Sequence, residues 1–489
     1  MVAAAASIAV VYPHMNGLGG DGFWLISEPG KTPVAIDASG TAAAGATAQF
    51  YTGETTIPSR GGKAALTMAG AVSGWQQALA YSSAWQTNMP LSALFNRAIE
   101  QASTGFKVTQ SLQDASEKTF ADFANFSNFA QFRTNNQVLQ KGNVLTLPKL
   151  ADTLDYLANH GLNQFYRGDI AATLATTLAA AGSPVGLHDF EQYSAQMVSP
   201  LTVSFSKGQL YNLPAPTQGI ASLIILALYD RLQSASMSEA EHSHLLIEAT
   251  KQAFIVRNQY LTDPSRLKRP LSDFLIDAML DEMAANIDLN NALNWPHDAK
   301  HGDTIWMGAC DSKGRMVSYI QSLYWEFGSG IVCPDTGIVW NNRGTSFSLE
   351  DNHHRLKPGL KPFHTLNPAY AELNDGRRIV YGTMGGEGQP QTQAMMLSRY
   401  LYQGFNLPDA VAHPRWLLGR TWGDVSHNLK IESSMTSDVT QHLMSLGHDI
   451  VQVPANAEMM GHAGAISLMP DAPLQVATDP RSDGKAISY

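Results

Sequence analysis

The sequence predicts an α+β fold in which β-sheets pack together and carry helices outside, and three observations lead there. Strand-like runs near the N-terminus give way to a long helical stretch, then to paired strands after residue 303, then to helices and strands again, without regular strand–helix–strand alternation. Two segments read as hairpins, 304–311 with 316–323 across Ser312-Lys313-Gly314, and 368–373 with 378–383 across Asn374-Asp375-Gly376-Arg377. Hydrophobic residues make up 44% of the 489 residues and charged residues only 15%, the balance of a chain that buries a large core. Length alone suggests about three structural units, or one large enzyme domain.

The elements follow in order. The Ala-rich run 2–11 reads as a structural helix. No basic residue precedes it and Tyr12-Pro13-His14 is a poor signal-cleavage context, so a cytoplasmic location is expected. That run and the apolar run 219–229 both fall short of the roughly 20 residues that span a bilayer. A glycine-dense loop over 16–22 leads to strand-like runs at 23–27 and 34–37. After a loop through Gly53, Pro58 and Gly61-Gly62, apolar spacing predicts helices over 91–103, 111–126, 147–159 and 170–181. A longer helix over 238–260 repeats Leu246, Ala249, Ala253, Val256 and Tyr260 on one face. Helices return at 392–403 and 437–446, and strand-like text closes the chain.

Charge and cysteine usage exclude several functions. The net charge of −10 and the absence of a lysine- or arginine-rich run argue against nucleic acid as a partner. The two cysteines, Cys310 and Cys333, supply neither a disulfide framework nor a four-cysteine zinc site, and both read as buried thiols.

Gly17-Leu18-Gly19-Gly20-Asp21-Gly22 matches G-x-G-x-x-G, but a dinucleotide site needs that loop to open a helix whose N-terminus carries the pyrophosphate. Here a strand follows, and Pro29, Gly30 and Pro33 forbid a helix before Asp37. The glycines therefore read as close backbone packing. His242 and His244, two apart on a helix, and His353-His354 in a polar loop read as solvated histidines, so neither a metal nor a cofactor is expected.

Gly385-Gly386-Glu387-Gly388 stands between a strand and a helix that Pro390 can begin. Its successive N–H groups could converge on an oxyanion, against the alternative of a plain glycine turn. In His301-Gly302-Asp303-Thr304 a loop runs into a strand headed by threonine. An internal threonine hydroxyl is a weak nucleophile. Were the bond before Thr304 cut, the new α-amine, with an ordinary pKa of about 7.7 to 8.0, could act as base for its own hydroxyl. A lone strand-opening threonine is otherwise structural.

Several segments together resemble the gamma-glutamyltransferase family of N-terminal-nucleophile hydrolases: Tyr12-Pro13-His14 with 17–23, the run 253–257 continuing to Tyr260-Leu261-Thr262-Asp263-Pro264, Asp303-Thr304, Phe327-Gly328-Ser329-Gly330-Ile331, Asn341-Asn342, and Gly382-Thr383-Met384-Gly385-Gly386. The resemblance implies a four-layer αββα sandwich built from both subunits of a chain that cuts itself between Asp303 and Thr304. Residues 1–303 would form the large subunit and 304–489 the small one, with a dimer of such heterodimers as a further assembly. It also implies that residues precede the Ala-rich helix in the natural precursor. Thr304 would be nucleophile and base, Ser322 a second hydroxyl bonding to it, and Gly385 and Gly386 the oxyanion-hole donors.

Departures from the family pattern bear on the substrate. The arginine that holds a glutamyl α-carboxylate is replaced by Ser39, and the aspartate that reads the glutamyl amine by Ser346. The family's serine pair stands as His364-Thr365, and the asparagine two residues past the second hydroxyl as Tyr324. Arg343 follows Asn341-Asn342 in place of a small polar residue and brings a fork suited to a carboxylate. Between Arg343 and His364 four cations, Arg343, Arg355, Lys357 and Lys361, face only Glu350 and Asp351, a local field that suits an anionic substrate. Arg343, Tyr324, Asn342, His364 and Thr365 are the expected substrate contacts. The pattern resembles the branch of oxamate amidohydrolases, which implies hydrolysis of a small carboxylated amide to oxalate and ammonia. Alternatives are a γ-glutamyl hydrolase or transferase, a β-lactam side-chain acylase, and a non-catalytic binding relative.

Overall fold

A computed structural model describes residues 1–85, 89–133, 136–295, 303–419 and 427–488. The chain separates into two compact units, where length alone suggests about three or one large domain. The first unit comprises Met1–Trp24, Ile36–Met197 and Gln321–Pro362, and the second Leu25–Ala35, Val198–Ile320 and Phe363–Tyr489. Each therefore draws on sequence from both sides of Thr304. Among the described residues no helix is long and apolar enough to cross a membrane.

The second unit is organised by a six-stranded sheet in the order Gln475–Thr478, Ala463–Leu468, Arg378–Thr383, Ala369–Leu373, Gly208–Asn212, Leu201–Phe205. All its neighbours are antiparallel. The expected hairpin is present, with Ala369 opposite Tyr381 and Glu372 opposite Arg378. Because successive side chains point to opposite faces of a strand, the sheet divides its neighbours cleanly. Ala369, Ala371, Leu373, Ile379, Tyr381, Ala463 and Ala465 join a core shared with the helices Gly219–Leu232, Glu239–Tyr260 and Gln389–Tyr402. Gly382, Gly464 and Ile466, on the other face, meet the strand Asp303–Cys310. One face of this sheet thus carries helices and the other the strand Asp303–Cys310, the edge of a five-stranded sheet in the order Gln196–Val198, Val34–Ala38, Asp21–Ser27, Met316–Tyr324, Asp303–Cys310.

In the first unit the helix Val2–Val11 packs on Leu91–Thr104, which packs in turn on Pro148–His160. Three expected helices lie within a residue or two of their predicted spans, at Leu91–Thr104, Pro148–His160 and Asp169–Ala180. The one expected over 111–126 ends early, at Gln110–Thr119. The residues beyond it turn inward, and Phe123 packs against Phe129 at 4.2 Å and edge-on to Phe327 at 6.3 Å between ring centroids.

The long central helix begins as expected, since Ser238 and Glu241 cap each other reciprocally. Its apolar stripe was too narrow an expectation: Glu248, Lys251, Gln252 and Arg257 are buried as well, because helices cover it on several sides. Apolar periodicity gave no signal for Gly219–Leu232, in which every residue from Gly219 to Tyr229 is buried. A helix buried all round shows no period.

Candidate active site

Thr304 is fully buried, and Trp306, two residues on, projects from the same face of the strand. The Trp306 indole lies over paired glycines. A Cβ on Gly382 would stand 2.1 Å from it and one on Gly464 2.5 Å, so glycine is required at both for the sheets to meet. The indole N–H donates to Ser318 Oγ at 2.9 Å. Further along the hairpin, Gly308 faces Ile466, and Gly314 faces Leu468 and accepts from Arg378 Nη1 at 2.8 Å. As the hairpin advances from 306 to 314, its neighbours thus run from 382 to 378 and from 464 to 468. Thr304 lies the other way, toward the end of Arg378–Thr383 from which the Gly385-Gly386 loop departs.

That loop is a short 3₁₀ turn, Gly386–Gly388, with Gly385 at φ 122° and Gly386 at φ 53°. Side chains with a Cβ rarely adopt these angles. Among the described residues neither the Gly385 N–H nor the Gly386 N–H meets a protein acceptor. The Gly386 carbonyl is held instead: Gln218 Nε2 donates to it at 2.8 Å and to the Thr365 carbonyl at 2.8 Å. Arg257 fixes that amide by donating from Nη1 to Gln218 Oε1 at 3.0 Å, and its Nη2 meets Glu387 Oε2 at 2.6 Å. His364 is fully buried, and its backbone N–H donates to Pro216 at 2.9 Å. One glutamine therefore ties the His364-Thr365 segment to the glycine loop. The sequence carried Arg257 only as part of a family motif, and nothing in the pattern singled out Gln218.

In the first unit Ser322 Oγ accepts the Tyr324 N–H at 2.7 Å and supports that residue at φ 87°. The strained turn sets the Tyr324 ring 3.8 Å below the Arg343 guanidinium carbon, within cation–π range. Asn341 Oδ1 accepts from Thr67 Oγ1 at 2.8 Å and from the Arg343 N–H at 3.0 Å. Asn342 donates to the Ser59 carbonyl at 2.9 Å and accepts from Trp325 N–H at 3.1 Å, so it braces the turn carrying Tyr324. Gly19 and Gly20 pass close to the Val339 and Ser322 carbonyls, the tight backbone packing expected of that loop.

Arg343 is fully buried, and its Nε lies 3.6 Å from Oδ2 of Asp21, also fully buried. Sequence reading passed over Asp21 as a loop residue. Burial pushes its carboxyl up to about 7, with Arg343 acting in the opposite direction. Burial likewise works against the Arg343 charge.

The expected basic field is largely neutralised. Arg355 pairs with Asp351 at 2.9 Å and Lys361 with Asp37 at 2.6 Å, while Arg343 faces Asp21. Three of the four cations of 343–364 thus face a carboxylate, and two of those carboxylates, Asp21 and Asp37, come from distant sequence. Ser39, at the position of the missing glutamyl clamp, donates to Asp37 at 2.5 Å. Ser346 Oγ donates to the Arg343 carbonyl at 2.8 Å.

Other expectations are corrected. Cys333 is buried but Cys310 is only partly so. His242 and His244 are buried rather than solvated, because helices surround their own helix. His244 Nδ1 meets His448 Nε2 at 2.8 Å, and with Glu248 their ligand atoms fall within 4.8 Å of one another. Lys251 Nζ already stands 2.6 Å from Glu248 Oε1 and donates to the Leu293 carbonyl, so an ammonium neutralises that carboxylate. The side chain of Asp303 and the residues 301–302 lie outside what the structure describes.

The sequence model of gamma-glutamyltranspeptidase matches residues 1–489. The chain belongs to that family. It is 48% identical over 492 residues to an oxamate amidohydrolase proenzyme of Klebsiella pneumoniae, covering 100% of this chain and 93% of that one. It is 34% identical to a glutathione hydrolase-like proenzyme of Bacillus subtilis, covering 99% and 93%. A solved cephalosporin acylase from Bacillus halodurans superposes with a TM-score of 0.90 at 29% identity, covering 100% of this chain and 90% of that one. The family resemblance read from the motifs is borne out. The fold is the α+β fold of N-terminal-nucleophile hydrolases, and the chain is a hydrolase of amide C–N bonds of the threonine type.

Proposed function

We propose that the chain is a proenzyme that cuts itself between Asp303 and Thr304, and that the freed Thr304 hydrolyses oxamate to oxalate and ammonia. The observation that carries the substrate is the enclosed Arg343 guanidinium over Tyr324, an anion-recognising group that suits a very small ligand. The 48% identity to an oxamate amidohydrolase proenzyme supports the same choice. The glutamyl alternative is disfavoured, since Ser39 stands at the clamp position and the nearby Lys361 is engaged with Asp37.

In maturation the Thr304 hydroxyl adds to the Asp303 carbonyl, the peptide C–N bond breaks, and an ester remains. Water then hydrolyses that ester, leaving the Asp303 carboxylate and the Thr304 α-amine. The two fragments are large and small subunits of one precursor. In turnover the α-amine takes the hydroxyl proton as Oγ attacks the amide carbonyl of the substrate. Gly385 and Gly386 N–H groups receive the oxyanion, and Ser322 supplies the second hydroxyl beside the nucleophile. The α-ammonium returns its proton to the departing nitrogen, ammonia leaves, and an oxalyl ester forms. Water, deprotonated by the amine, releases oxalate. Arg343 holds the substrate carboxylate, with Tyr324, Asn342, His364 and Thr365 shaping the pocket.

The test is ammonia release from oxamate, glutathione and an acyl β-lactam by the same preparation, with Thr304→Ala as control. Oxamate is expected to be the preferred substrate. Faster turnover of glutathione or of the β-lactam would overturn the assignment.

A further inference from the structure

We propose that His244, Glu248 and His448 form a binding site for a transition-metal ion, Zn²⁺ by the chemistry of the donors, contributed from both sides of Thr304. The site stands apart from the reading of Arg343 and of oxamate.

All three residues belong to the second compact unit, and all three are buried. His244 and Glu248 are four apart on the helix Glu239–Tyr260, so they share one face a turn apart. His448 reaches them from the connection between the helix Ser437–Ser445 and the strand Ile450–Val453. His244 Nδ1 lies 2.8 Å from His448 Nε2, which lies 3.9 Å from Glu248 Oε1, and the three ligand atoms fall within 4.8 Å of one another. Donors at about 2.0 to 2.2 Å around a tetrahedral zinc stand roughly 3.3 Å apart, and the 2.8 and 3.9 Å separations fall on either side of that value. Two imidazoles and a carboxylate are a donor set for zinc, whereas magnesium and calcium take shells of oxygen.

The surrounding contacts aim the donors inward. His244 Nε2 stands 2.9 Å from the Asp288 carbonyl, which can only accept, so the neutral ring carries its hydrogen there and turns the Nδ1 lone pair toward His448. Glu248 Oε2 accepts the Leu293 N–H at 3.1 Å, which leaves Oε1 on the side of the imidazoles. Metal-binding histidines ordinarily donate their second ring nitrogen to a carbonyl or carboxylate, and ligating carboxylates are themselves hydrogen-bonded. When His448 Nε2 takes the metal, its ring hydrogen passes to Nδ1 and the ring stays neutral.

Lys251 is the competitor. Its ammonium lies 2.6 Å from Glu248 Oε1 and 2.6 Å from the Leu293 carbonyl, and it supplies the counter-charge that a buried Glu248 needs without metal. Zinc would take Oε1 from it and engage the two ring nitrogens as well, while the lysine keeps the Leu293 carbonyl. His244 and Glu248 precede Thr304 and His448 follows it, so after cleavage the ion would join the two fragments. That consequence alone rests on the proposed maturation.

The probe is Zn²⁺ added to protein stripped with a chelator, with Co²⁺ as its spectroscopic substitute. The stripped wild type is expected to retain one zinc per chain, to show the visible bands of a tetrahedral cobalt centre, and to melt at a higher temperature with zinc than without. Loss of a contact that only orients a ligand costs about 10- to 100-fold in metal affinity, and His244→Gln and His448→Gln, checked for folding by circular dichroism, should each cost at least that. Lys251→Met should bind zinc more tightly than wild type. Thr304→Ala, which stays as one chain, should bind it equally, so that a failure of cleavage and a failure of the metal site are told apart. No zinc retained by the wild type, or undiminished binding in the folded histidine variants, overturns the proposal. So does weaker binding in a folded Lys251→Met, since the lysine would then support the ion rather than compete with it.

Discussion

Arg257 and Arg343 are both buried and each faces a buried carboxylate, but the two pairs are built for different work. Arg257 meets Glu387 at 2.6 Å, stacks over Phe254 at 3.7 Å and holds the Gln218 amide, which grips the Gly386 carbonyl. Every partner is a direct hydrogen bond or a ring, and the result is a fixed backbone. Arg343 faces Asp21 at 3.6 Å, with burial pressing both toward neutrality. The tight pair makes a scaffold, whereas the second guanidinium is the one that the proposed function offers to a ligand. On this account the first governs kcat through the oxyanion loop, and the second governs substrate affinity.

The sharpest way to break the comparison is to remove Arg257. Arg257→Ala leaves Glu387 buried without its cation, and loss of one member of such a pair costs about 3 to 5 kcal/mol. Denaturant unfolding should register that loss, and kcat should fall in whatever remains folded. Unchanged stability would show that the pair is not a scaffold. Next in size is Gly386→Val, which forces a branched side chain onto φ 53° and disturbs an oxyanion donor. Loss of one such donor costs about 2.7 to 4 kcal/mol, roughly 10²- to 10³-fold in kcat. A folded Gly386→Val protein with kcat within a few-fold of wild type would reduce the loop to a turn.

The smaller effect belongs to the second guanidinium. If Arg343 holds the substrate carboxylate as proposed, Arg343→Ala removes a charged partner, a change worth about 2 to 5 kcal/mol where such contacts are desolvated. The expected fall in kcat/KM for oxamate is more than tenfold, carried mainly by KM. Arg343→Lys should restore part of it, since an ammonium lacks the two-pronged contact. Self-cleavage, followed on a gel, should proceed normally in both. An unaltered KM would remove Arg343 from the site.

Much of this was legible in the sequence. The hairpins at 303–324 and 369–383, the helix from about Ser238 and the glycine loop after Thr383 all rest on local rules, namely turn residues and apolar period. The braces were not legible. Gln218 reaches Gly386 across 168 positions, Arg257 reaches Glu387 across 130, and Asp37 reaches Lys361 across 324. Sequence spacing holds no trace of such pairings. The basic character assigned to 343–364 failed for the same reason, since its counter-charges Asp21 and Asp37 arrive from the first strands. Buried His242 and His244 were misread because a helix packed on several sides offers no polar face to betray it.

The central claim is that Thr304 becomes catalytic only by being freed from Asp303. The most direct measurement is the N-terminal sequence and intact mass of the purified protein, taken together with its ammonia release from oxamate. Two fragments are predicted, the smaller beginning at Thr304, with activity tracking the cleaved fraction, while Thr304→Ala stays as one chain and releases no ammonia. A single intact chain that is fully active would contradict the account.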